Sequence, residues 1–234
     1  MNKLNWLLTL SSLSVLLVTI ERFSFTTRIL LQPYNFLRLH EIVQMCVVIL
    51  FTVIIPYLVL KEVSDNFSLL RKRWGFWLGL MFVTGIYFYA TGNGVHEVSS
   101  FNFNNFCDTK NFQGNLCGGM FFNDYYTGNI LYFVGGILMY LSLLLFEQRN
   151  PNKTYQRKDL PLTTINSLIF SFAIFAYSGF DRVLVGLVFS LIMMTISLIL
   201  LYKKRGKILE APYTLYTVLS YSVGTIAALA VRIF

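Results

Sequence analysis

Charged side chains are scarce in this chain: Asp, Glu, Lys and Arg make up 13% of its 234 residues, where a soluble domain carries about 25%. With 56% of residues hydrophobic and a mean hydropathy of +0.61, that shortage excludes an ordinary water-soluble fold. Histidine is scarcer still. His40 and His96 are the only two, and each is followed directly by glutamate, Glu41 and Glu97. Neither pair continues as H-E-x-x-H, since the fourth residue on is Gln44 or Ser100, so the helical zinc-peptidase signature is excluded. The three cysteines, Cys46, Cys107 and Cys117, contain no C-x-x-C, which excludes a zinc finger.

Long apolar runs are what the chain does have. Each is continuous rather than alternating, so it predicts helices and excludes a β-barrel. A hydrocarbon core of about 30 Å takes about 20 residues of helix. Seven spans follow: 4–20, 38–60, 74–94, 124–146, 163–180, 183–202 and 213–232. The fold class expected is all-α, one polytopic transmembrane bundle over residues 1–234. The first run also resembles a signal peptide, but no small-residue cleavage site follows it before Glu21 and Arg22. A retained anchor is expected.

The net charge of +8 is spread over short connections and accompanies no basic–aromatic module, so nucleic acid is not an expected partner. It orients the chain instead. Thirteen of the nineteen Lys and Arg residues fall on one side of the spans and six on the other. The bias recurs in 61–73, 147–162 and 203–212. The positive-inside rule then predicts a cytoplasmic N-terminus and an outer C-terminus.

The same count puts the longest connection, 95–123, outside. It is rich in Asn, Phe and Gly, and it holds Cys107 and Cys117. Two cysteines ten positions apart on the oxidising side predict a disulfide. Cys46, within a span, is expected to pack.

Span order also gathers the polar residues. His40 and Glu41 enter the second span from outside, His96 and Glu97 leave the third there, and Asp124 opens the fourth. All lie within a turn or two of one interface. Gln44 shares a helix face with His40 and Glu41, and Asn93 with His96 and Glu97; these two are the expected supporting donors. The triplet Thr-Gly-Asn occurs at 91–93 and 127–129, small residues suited to a close helix crossing.

Imidazoles and carboxylates at one depth suit two chemistries. His40, His96, Glu97 and Asp124 offer ligands to a divalent metal such as zinc or iron. Without metal, the same pairs serve as general acid and base. Against both stands a plainer account, in which polar residues at helix ends cap helices and meet water. Glu21 and Arg22, with Arg28, read as an interfacial ion pair or snorkelling anchors, and Asp181–Arg182 as a turn pair.

Two functional readings result, and the sequence leaves open whether the protein is an enzyme. One is a lipid-modifying enzyme, of hydrolase or isomerase type, with His40, Glu41, His96, Glu97 and Asp124 at an outer interfacial site. The other is a non-catalytic subunit or scaffold that docks membrane partners through 95–123. A small-solute transporter is disfavoured, because the last three spans hold almost no ionisable residue near the midplane. Membrane lipids are the expected partners.

Overall fold

In a computed structural model, residues 3–152, 154–181, 183–204 and 207–233 are described. Among them the secondary structure is helical, with a single isolated bridge between Leu30 and Arg38. The helices are α1 (Lys3–Glu21), α2 (Leu39–Val63), α3 (Arg73–Phe106), α4 (Leu116–Arg149), α5 (Leu160–Ala176), α6 (Val183–Lys203) and α7 (Pro212–Ile233). A widened π turn, Tyr177–Asp181, prolongs α5. All seven are parts of segments long and apolar enough to cross a membrane. Arg182, and the side chain of Asp181, lie outside the described residues, so the expected turn pair does too.

Much of the apolar side-chain surface points outward. Leu50, Phe51, Val83, Ile165 and Leu184 are exposed, as expected where lipid rather than water meets the helices. The interior carries polar glue in its place. Thr163 Oγ1 donates to Asn5 Oδ1 at 2.9 Å, and Ser12 Oγ donates to the Asn166 carbonyl at 2.8 Å, tying α1 to α5. Ser12 Oγ also lies 2.9 Å from the Tyr216 hydroxyl on α7. At the opposite end from the histidines, Glu147 on α4 is fully buried. It accepts from the backbone N–H groups of Tyr213 and Thr214 and from Thr214 Oγ1, each at 2.7 Å. It caps α7 from a neighbouring helix, filling donors that the first turn leaves unmatched.

The closest packing joins α3 to α4. A Cβ placed on Gly92 would lie 2.2 Å from Tyr132 N and 2.6 Å from Gly128 O. On Gly135 it would lie 2.3 Å from Tyr89 N and 2.6 Å from Gly85 O. Only glycine fits at these crossings. The two Thr-Gly-Asn triplets therefore face one another through their glycines, and Gly128 rests on the backbone of His96.

The segment 95–123 corrects the expected long loop. α3 runs on to Phe106 and α4 begins at Leu116, leaving only 107–115 outside helix. Ser99, Ser100, Asn102, Asn104 and Asn105 have poor helix propensity, and they suggested a loop. Tertiary packing overrides them. Phe101 and Phe103 are buried, and Phe103 packs edge-on against Phe112 and beside Phe121. Cys107 and Cys117 form the expected disulfide and close the short connection. Cys46 departs from expectation: it is exposed on the outer face of α2, not packed inside.

Candidate functional site

The run Glu21–Arg38 leaves α1, forms a short 3-10 turn at Phe25–Arg28, and returns through the Leu30–Arg38 bridge. It delivers Arg38 to the first turn of α2. There Glu41 accepts from Arg38 N at 2.8 Å and from Arg38 Nε at 3.0 Å, and it also receives Nη2. Glu41 is thus a helix cap and an ion-pair partner, the plainer role that the sequence allowed it. Arg38 is further held over the Phe101 ring, 5.2 Å from its centroid.

The histidines do not pair with the glutamates beside them in sequence. Successive helical positions diverge by about 100°, and neighbouring helices supply the nearest partners. His40 Nδ1 contacts the carboxylate of Glu21, at the end of α1. His96 Nδ1 lies 2.7 Å from Asp124 Oδ1 and 3.3 Å from the Asp124 carbonyl oxygen. A carboxylate accepts only, so a proton on Nδ1 suits both contacts and would leave the lone pair of a neutral ring on Nε2; at His40 the contact is a close approach and not an aligned hydrogen bond. His40 Nε2 faces Glu97 Oε2 at 4.0 Å.

Glu21 is the residue that sequence reasoning misplaced. It was expected at the interface with Arg22. Instead it is 7% exposed and turned onto His40. Ser24 Oγ, Thr26 Oγ1 and Gln44 Nε2 all donate to it. Its signal in the sequence was slight: a carboxylate ending an apolar run at the depth of the histidines. Gln44 takes a supporting part, donating to Glu21 Oε2 at 3.0 Å and to the Val18 carbonyl at 3.2 Å. Asn93 does not line the site; its Nδ2 is buried without a hydrogen-bond partner.

These groups surround one half-open cleft of about 590 Å³. His40, Glu41, His96, Glu97 and Asp124 all line it, joined by Arg22, Arg38 and Gln44. A smaller apolar cavity of about 60 Å³ lies among Tyr89, Tyr132, Phe133 and Tyr221, and Tyr177 borders both spaces. The cleft also coincides with every π turn among the described residues. Gln44–Val48 begins with Gln44, Asn123–Gly128 contains Asp124 and Tyr125, and Tyr177–Asp181 begins with Tyr177. A π turn takes one residue more than an α turn and so re-aims the side chains beside it, and such turns concentrate at functional sites. Asn129 supports the second of them, its Nδ2 donating to the Asp124 carbonyl at 2.7 Å.

The ligand set expected from sequence is divided. Among the described residues, the one group of three or more His, Cys, Asp or Glu able to share an ion is His40, Glu41 and Glu97, with ligand atoms all within 4.8 Å. His96 and Asp124 are committed to one another instead.

Seven helices of this length and hydropathy place the chain among multi-pass membrane proteins. No family model, curated protein or solved structure matches it.

Proposed function

We propose that this protein is a membrane enzyme that performs general acid–base chemistry on a lipid in the cleft of His40 and His96. The observation that carries this reading is a repeated arrangement. Two imidazoles on different helices, each with a carboxylate from a third or fourth helix against its Nδ1, open into the same cleft. Holding Nδ1 fixes ring and tautomer and directs Nε2 to the chemistry. One histidine then takes a proton from an attacking water. The other, starting as imidazolium, protonates the departing oxygen of an ester or phosphate or the departing nitrogen of an amide.

Placement supports a lipid as substrate. From Arg73, where α3 begins, to His96 the helix rises about 35 Å, so the cleft sits near one edge of a core about 30 Å thick. Exposed Phe23, Phe25, Tyr34, Phe36 and Phe106 lie in the segments that frame it, as aromatics do at a headgroup interface. The charge bias of the loops assigns this edge to the outer side, with the N-terminus cytoplasmic and the C-terminus outside.

The test is turnover in lipid nanodiscs carrying a panel of phospholipids, acylglycerols and ceramides, with products read by mass spectrometry. At least one class should be consumed. His40→Ala and His96→Asn should each lower that rate by about a hundredfold or more while leaving thermal unfolding unchanged. Full activity in both well-folded variants, or no turnover of any class, would sink the reading.

A further inference from the structure

We infer that His40, Glu97 and Glu41 form a binding site for one divalent transition-metal ion such as Zn²⁺, with Glu21 positioning His40. The inference rests on the reading of the cleft as a reaction site, and it narrows that reading to metal-assisted hydrolysis.

Spacing is the first argument. His40 Nε2 and Glu97 Oε2 are 4.0 Å apart, too far for a hydrogen bond. Two ligands that each sit about 2.1 Å from a common ion are separated by about 3–4 Å. The ligand atoms of His40, Glu41 and Glu97 all lie within 4.8 Å of one another, so a modest rotamer adjustment closes them on one ion. Their other lone pairs allow it. A carboxylate has about four acceptor positions; Arg38 N, Nε and Nη2 occupy three on Glu41, Nε reaching both oxygens, so an ion there takes the last position or displaces one of these bonds.

Charge is the second argument. Glu41 and Glu97 bring two carboxylates together around His40, with Glu21 on its far side. Arg38 pairs with Glu41, and Arg22 lines the same cleft and acts on Glu97; the three carboxylates still outnumber the two guanidinium groups, which favours a cation at the centre.

The third argument is the outer layer. A metal-binding histidine characteristically donates its other ring nitrogen to a carboxylate, which orients the ring and makes it a stronger ligand. Glu21 holds that place at His40 Nδ1 and is itself fixed by Ser24, Thr26 and Gln44. Gln44 adds an independent sign. Its Nε2 must face Glu21 and the Val18 carbonyl, both acceptors, so its amide orientation is determined. Its Oε1 is then buried in the cleft wall with no hydrogen-bond partner. A buried acceptor left unmatched costs stability unless a ligand or its bound water supplies the donor.

The chemistry follows without any further reactant. An ion here lowers the pKa of a bound water. The water's oxygen would then bond to the acyl carbon or phosphorus as the C–O, C–N or P–O bond to the leaving group breaks, and the water's proton would pass through His96, the histidine that does not bind the ion, to the departing alcohol or amine.

The experiment is equilibrium dialysis of tag-free, detergent-purified protein against Zn²⁺, with bound metal counted by mass spectrometry and Mg²⁺ as the competitor. One Zn²⁺ per chain is expected, undisplaced by millimolar Mg²⁺. Co²⁺ in its place should give a visible ligand-field spectrum. His40→Ala and Glu97→Gln should remove binding, and Glu21→Gln should weaken it about ten- to hundredfold. His96→Asn should leave it intact, because His96 belongs to the other pair. Stoichiometry below 0.2 in the folded wild type, or binding retained in both His40→Ala and Glu97→Gln, overturns the site. The outcomes separate the two claims. Chelator-insensitive lipid turnover without bound metal refutes the metal and spares the acid–base enzyme. Bound Zn²⁺ without turnover of any lipid does the reverse.

Discussion

His96 on α3 and Asp124 on α4 meet at 2.7 Å across 28 residues of sequence. Two features make that meeting unavoidable. Gly128 lets the α4 backbone rest on His96 itself, and the π turn Asn123–Gly128 swings Asp124 toward the crossing. The pair is therefore a product of helix packing, and the catalytic reading depends on it.

Asp124→Asn tests that dependence. The amide keeps the shape but can present its N–H₂ to Nδ1, which favours the wrong tautomer of His96. Lipid turnover should fall by about a hundredfold, with little change in the unfolding temperature. An active, stable variant would reduce the carboxylate to a spectator.

Gly92→Leu should separate α3 from α4. Its Cβ alone would stand 2.2 Å from Tyr132 N, backbone that cannot step aside as a flexible side chain can. Overpacking costs about 1–3 kcal/mol, read as a lowered midpoint in detergent unfolding. Gly119→Ala is the control: nothing lies within 4 Å of its Cβ, so stability should hold or rise slightly.

Glu147→Ala should destabilise the far end of the bundle. The Tyr213 and Thr214 amides would lose their buried acceptor, at a cost of about 1–3 kcal/mol. Glu147→Gln keeps one acceptor oxygen and should cost less. Hydrogen exchange at the first turn of α7 is the direct measure; unchanged protection there would refute the cap.

Orientation has its own check. A protease-sensitive tag at the N-terminus should resist digestion of intact cells, and one at the C-terminus should be cut. The Cys107–Cys117 disulfide should then face the same side as the C-terminal tag. Its loss in Cys107→Ser should lower stability by about 2–3 kcal/mol. The opposite pattern of tag protection would overturn the assignment drawn from the loop charges.

The seven spans were legible in the sequence because bilayer thickness fixes a length and hydrocarbon forbids charge, and both are properties of single segments. The same logic put His40, His96, Glu41, Glu97 and Asp124 at one depth, since depth along a helix is a matter of counting residues. Even the glycine crossing was visible in the two Thr-Gly-Asn triplets.

Rotation about each helix axis was not legible, because it is decided by the neighbours a helix acquires. Tertiary packing alone turned Glu21 inward onto His40, drew Asp124 to His96, and gave Glu41 to Arg38. It also converted the Asn-rich stretch after Gly94 into helix, because burying Phe101 and Phe103 outweighs weak local propensity. The sequence determined which residues reach the interface and how far along each helix they stand. The tertiary structure decided which of them touch, because pairing between helices depends on crossing and rotation, to which a single segment's pattern is blind.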